Sequence, residues 1–122
     1  SLNLIEACVV DQLPIISSMG AANKLDPTRV LVADLADTRS CRLARIIRRE
    51  LRRRGISSGV KTVYSTEEFR PLSDGRREPA AKVADNYQTR RATLGSSSVV
   101  PPLFGLTMAG EVLIDLLELN SA

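Results

Sequence analysis

Apolar positions along this chain follow two rhythms, one of three to four residues and one of short unbroken runs, and the changes between them mark helices and strands. Leu2, Ile5, Cys8 and Val9 recur at helical spacing and predict an amphipathic helix over residues 2–12, closed by Leu13 and Pro14. Ile15-Ile16-Ser17-Ser18-Met19 reads as a short buried strand that ends at Gly20-Ala21-Ala22. Asp26-Pro27-Thr28 predicts a turn, because proline fixes φ behind a side chain suited to capping the bend. Residues 29–35 (RVLVADL) read as a second strand. A helix is expected over residues 41–54, capped by Thr38 or Ser40 and leaving through Gly55. Leu43, Ile46, Ile47 and Leu51 are its expected apolar stripe. Residues 60–65 (VKTVYS), after Gly59, give a third strand.

Beyond residue 69 the rhythm dissolves. Pro71, Asp74-Gly75, Pro79, Asp85-Asn86 and the run Gly95-Ser96-Ser97-Ser98 favour turns, so a long crossover loop is expected at about 70–98. A last helix is expected over residues 103–119, apolar around most of its circumference, with Glu111, Asp115 and Glu118 as a narrow polar strip. Such a helix is expected to be buried, and Gly105, Ala109 and Gly110 would let another backbone approach it closely. Helix and strand alternate, which predicts a single α/β domain over residues 1–122.

Composition removes several functions. With 122 residues, 43% hydrophobic and 25% charged, the chain suits one soluble domain with a modest core. It has no histidine, which excludes His-based triads and His-ligated zinc. With no tryptophan, two tyrosines and two phenylalanines, it offers little platform for stacking single-stranded bases. Cys8 and Cys41 have no CxxC partner, so no metal site is expected and reduced thiols are the simpler reading. No run suggests a membrane span and no signal architecture opens the chain, so a cytoplasmic protein without membrane partners is expected. Ser1 stands where a full gene product begins with Met, and helical spacing starts at once. A truncated parent is the expectation.

The charge is unevenly placed. Residues 39–54 hold eight arginines against the single acid Glu50, although the whole chain carries only +3. Arg42, Arg45, Arg49 and Arg52 are candidates for contact with the phosphates of a nucleic-acid backbone, and the same holds for Arg76, Arg77, Arg90 and Arg91 in the expected loop. The alternative is a solvated helix face whose arginine stems cover apolar neighbours, and a loop kept soluble by its charges. Asp26, Asp34 and Glu67 sit at strand ends or turns, yet nothing pairs a second carboxylate or base with them. Ser17, Ser18 and Ser65 likewise lack a base. No catalytic residue is expected in this chain.

The order PIISSMGAANKLDPT (14–28), then residues 30–35, then GVKTVYSTE (59–67), Ser73-Asp74-Gly75 and TLGSSSVVPPLFGLTMAGEVLIDLL (93–117) resembles the E1-like ThiF/MoeB/HesA superfamily. Within it the pattern is most similar to the tRNA threonylcarbamoyladenosine dehydratase branch, and only to the C-terminal part. The resemblance implies a Rossmann-like E1-type activating-enzyme fold, here a mixed sheet with an antiparallel strand pair and a buried terminal helix, and usually a homodimer. It implies a parent enzyme that uses Mg-ATP to adenylate a carboxylate. In the dehydratase branch that carboxylate belongs to a modified adenosine of tRNA, which is then cyclised. An alternative within the superfamily is an adenylyltransferase acting on a ubiquitin-like sulfur carrier, and outside it a non-catalytic RNA- or protein-binding module. The family's glycine-rich nucleotide loop and metal-serving Asp lie upstream of the matched part. Gly20-Ala21-Ala22-Asn23 does not replace that loop, because GxGxxG is absent and the segment runs into a turn. No cofactor is therefore expected on this chain alone, and no activity.

Overall fold

The computed structural model describes residues 2–68 and 97–118. Helix α1 spans Leu2–Val10, strand β1 Ile16–Ser18, strand β2 Val30–Asp34, helix α2 Arg42–Arg53, strand β3 Lys61–Ser65 and helix α3 Val100–Leu116. The three strands form one sheet in the order β1-β3-β2. β1 runs parallel to β3, with Ile16 opposite Lys61, and β2 runs antiparallel to it, with Val32 opposite Val63. The mixed sheet with its antiparallel pair is thus the one expected. The expected crossover loop at about 70–98 lies almost wholly outside the described residues.

β3 is the middle strand, and Thr62, Val63, Tyr64 and Ser65 are all buried. Its side chains alternate between two cores, as the period of two requires. Tyr64 joins Ile5, Met19, Leu35, Ala44, Ile47, Leu51 and Val60 under α1 and α2. Val63 joins Val100 and Phe104 on the opposite face, under α3, with Ile16, Val30, Val32 and Met108 at its margin. Helices therefore cover both faces of the sheet.

Local chemistry sets the ends of these elements. Asp26 accepts hydrogen bonds from Thr28 N at 2.9 Å and Thr28 Oγ1 at 2.6 Å, which makes the expected turn a short 3-10 turn over Pro27–Arg29. Asp34 closes β2, accepting from Ala36 N at 3.0 Å and from Gly59 N at 2.7 Å. α2 leaves through Gly55 at φ +78°, with Gly55 N and Ile56 N bonded to Arg52 O and Leu51 O. α3 begins at Val100, three residues ahead of the expected start. Pro101 and Pro102 fall in the first turn, where their missing N–H groups have no helical partner to lose.

Two expectations about the side chains of α2 need correction. Neither Thr38 nor Ser40 caps α2. The cap is Cys41, whose Sγ accepts from Ala44 N at 3.5 Å, while Thr38 is turned inward to Leu35 O and Ser40 takes a left-handed φ of 58°. The buried stripe of α2 is Ala44, Ile47 and Leu51; Leu43 and Ile46 remain exposed. The small Ala44, one position along from Leu43, is fully buried.

The terminal helix is buried only at its beginning. Val100 and Phe104 are buried, while Leu106, Leu113, Leu116 and Leu117 are exposed. The polar strip faces the sheet: Glu111 and Asp115 follow Val100, Phe104 and Met108 along one side of the helix, and both carboxylates meet Lys61 Nζ, at 3.4 and 2.8 Å. The ion pairs of Lys61, at the start of β3, lie on the sheet side of α3, while Leu106, Leu113, Leu116 and Leu117 are exposed. Added Cβ atoms at Gly105 and Gly110 would meet nothing within 4 Å, so among the described residues no backbone makes the expected close approach.

Candidate nucleic-acid interface

α2 owes its position to its apolar side, and this decides where its arginines go. With Ala44, Ile47 and Leu51 packed down, offsets of three, seven and ten residues place Arg42, Arg45, Arg49 and Arg52 on the outward side. All four are exposed. The structure brings these candidates together in one row. Arg76, Arg77, Arg90 and Arg91 lie outside the described residues.

Glu50 engages Arg53 at 3.1 Å and Arg49 at 3.7 Å. Arg54 pairs with Glu6 of α1 at 2.7 Å, and its guanidinium also donates to Asn3 Oδ1 at 2.8 Å. Arg42, Arg45 and Arg52 take part in none of the ion pairs among the described residues. Exposed pairs of this kind contribute about 0–1 kcal/mol each, so they hold the arginines only loosely. A row of loosely held guanidinium groups is suited to phosphates spaced along a backbone.

At the start of α2 the row meets an open cleft of about 340 Å³ lined by Ser40, Cys41, Arg42, Arg45, Arg48 and Glu68. Arg48 is the anchored member. Its Nη1 donates to Thr38 O at 2.8 Å and to the Thr38 hydroxyl, and that hydroxyl donates to Leu35 O at 2.7 Å. Behind the cleft wall lies Lys24, only 4% exposed, whose ammonium donates to Glu67 O at 2.8 Å, Ser65 O at 3.1 Å and Ser40 O at 3.4 Å. Burial pulls the Lys24 ammonium below its ordinary range, while the nearby Cys41 and Glu67 act in the opposite direction. The Glu67 carboxylate in turn accepts from Asp26 N at 2.7 Å and Leu25 N at 2.9 Å. One lysine and one glutamate thereby tie the 24–26 segment, the end of β3 and the approach to α2 into a single corner.

Sequence reasoning does not single out Lys24 or Arg48. The signals available are a lysine enclosed by small and apolar neighbours (Ala22-Asn23-Lys24-Leu25) and an arginine next to Ile47 on the edge of the buried stripe. Asp26, Asp34 and Glu67 all accept bonds from backbone N–H groups, the turn-forming role expected for Asp26. These three carboxylates do not come together as a metal site among the described residues. Each carboxylate is engaged with the backbone, β1 leads through Gly20 to a 3-10 turn without entering a helix, and no group of three metal-ligating side chains occurs among the described residues. No helix among the described residues is long and apolar enough to cross a membrane.

No protein-family model matches the chain. It is 37% identical over 119 residues to the tRNA threonylcarbamoyladenosine dehydratase of Bacillus subtilis, covering 96% of this chain and 46% of that protein. It is 36% identical over 124 residues to tRNA threonylcarbamoyladenosine dehydratase 2 of Saccharomyces cerevisiae, covering 92% and 27%. E. coli tRNA N6-threonylcarbamoyladenosine dehydratase in complex with AMP matches with a TM-score of 0.76 and 26% identity, over 98% of this chain and 45% of that one. The E. coli enzyme in complex with ATP matches with a TM-score of 0.74, over 98% and 44%, and its 24% identity speaks for the fold alone. The chain spans less than half the length of these relatives. Over nearly its whole length, the chain is homologous to one part of the tRNA threonylcarbamoyladenosine dehydratases and shares their E1-like α/β fold.

Proposed function

We propose that the chain is the C-terminal part of an ATP-dependent tRNA threonylcarbamoyladenosine dehydratase, and that its share of the work is to hold tRNA. The reading rests above all on the 37% identity to the Bacillus enzyme across 96% of this chain. The exposed row Arg42, Arg45, Arg49 and Arg52 supports it, since phosphate contact requires cations in the open and not sequence-reading side chains. Mg-ATP binds to residues outside this chain, because the carboxylates here are committed to backbone donors. The protein works in the cytoplasm as a homodimer, joined through the outward apolar side of α3.

The test is nucleoside mass spectrometry on the full-length gene product, incubated with Mg-ATP and tRNA carrying N6-threonylcarbamoyladenosine. Loss of one water from that nucleoside, dependent on ATP, is expected. An unchanged nucleoside would overturn the reading, and adenylation of a ubiquitin-like sulfur carrier in the same assay would replace it with the adenylyltransferase alternative. Residues 1–122 alone are expected to leave the tRNA unchanged.

A further inference from the structure

We infer that the cleft at the start of α2 is a phosphate-binding site, and that it seats one backbone phosphate of RNA at the head of the arginine row. The choice of RNA as the source rests on the proposed function; the phosphate chemistry does not.

Three guanidinium groups, those of Arg42, Arg45 and Arg48, line one cleft against the single carboxylate of Glu68. Like charges gathered in one place raise the energy of the empty site. The first turn of α2 adds to this, having no acidic residue to balance the positive end of the helix. Glu50, the nearest acid along the helix, is occupied with Arg49 and Arg53. An anion in the cleft relieves all these terms together. The guanidinium fork favours the tetrahedral oxygens of phosphate among anions, because it can bond two of them at once.

The walls are also fixed before any ligand arrives. Thr38 holds Arg48 from below, and Lys24 fixes Ser40 O and the end of β3, from which Glu68 follows. A site whose framework is already ordered loses less entropy on binding. Arg42 and Arg45 remain exposed and complete it. Arg42 and Arg45, which line the cleft, share an exposed side of α2 with Arg49 and Arg52, so a polynucleotide phosphate seated here has cations for its neighbours. A free nucleotide would leave that row unused.

Residues 1–122 labelled with 15N are titrated with inorganic phosphate, with hexauridylate and with AMP, while the amide resonances of residues 40–45 are followed. Saturable shifts with inorganic phosphate are expected, with hexauridylate binding more tightly and AMP no tighter than phosphate. Replacing Arg42 and Arg45 by Ala should weaken phosphate binding about tenfold, and Arg53→Ala should leave it unchanged. Glu68→Gln, at an exposed position, should tighten it about threefold by removing the opposing charge. Failure of the arginine pair or of Glu68→Gln to shift affinity in these directions would overturn the site. AMP binding tenfold more tightly than hexauridylate would overturn RNA as the source. Phosphate binding at residues 40–45 in a protein that ignores tRNA would sink the tRNA-holding role and leave the phosphate site standing.

Discussion

Lys61 Nζ donates to the Asp115 carboxylate at 2.8 Å, joining the first residue of β3 to the last turns of α3. The hydrogen bond to Asp115 holds the Lys61 ammonium above its ordinary value of 10.5, against some desolvation, with Glu111 adding to the shift. A lysine raised in this way contributes stability that is fully present below pH 10.5 and is lost as pH rises through the higher folded value. Thermal unfolding followed by circular dichroism should show the native protein losing stability above pH 10.5 more steeply than Lys61→Met. Parallel curves for the two proteins would show that the pair contributes nothing.

Lys24 has the opposite sign. Burial lowers its folded value, so below 10.5 the unfolded chain holds the proton more strongly, and stability rises as pH climbs through that window. Lys24→Met leaves the buried carbonyls of Ser65 and Glu67 without their donor, at about 1–3 kcal/mol for each group. Urea unfolding of Lys24→Met should therefore show a loss of about 3 kcal/mol or more. A loss below about 0.5 kcal/mol, the level of an ordinary surface change, would contradict this account of the corner.

The outward side of α3 gives a prediction about association. Leu113 is 58% exposed and Leu116 75% exposed, and neither supports the chain's own core. Replacing both by Asp should abolish a homodimer in sedimentation velocity while leaving the unfolding midpoint of the monomer nearly unchanged. Phe104→Ala should do the reverse, destabilising the fold by about 3–5 kcal/mol through a cavity beside Val63. A native chain that stays monomeric at high concentration would remove α3 as the dimer surface.

The sequence discloses the elements better than their orientation. Apolar rhythm locates α1, α2 and the three strands to within about three residues, because short runs such as residues 60–65 have few other ways to bury themselves. It locates α3 as well, but not which side faces the sheet. Periodicity separates Leu113 and Leu116 from Asp115; it does not reveal that Lys61, half a chain away, draws the acids toward the sheet. The α2 stripe misleads for a similar reason, since Leu43 looks better suited to a core than the small Ala44 that is buried in its place. The arginine row is legible because helical spacing alone aligns Arg42, Arg45, Arg49 and Arg52. The clamp of Lys24 and Glu67 is not, because it joins residues 43 apart and depends on the parallel return of β3.

The most direct measurement is tRNA binding by residues 1–122 across a range of salt concentrations, compared with the triple variant Arg45→Glu, Arg49→Glu, Arg52→Glu. A backbone-holding row predicts tight, salt-sensitive binding whose dependence on log salt becomes shallower by about 3 in the variant, one unit for each phosphate that no longer meets an arginine. Equal affinity and an equal salt slope in the two proteins would contradict it.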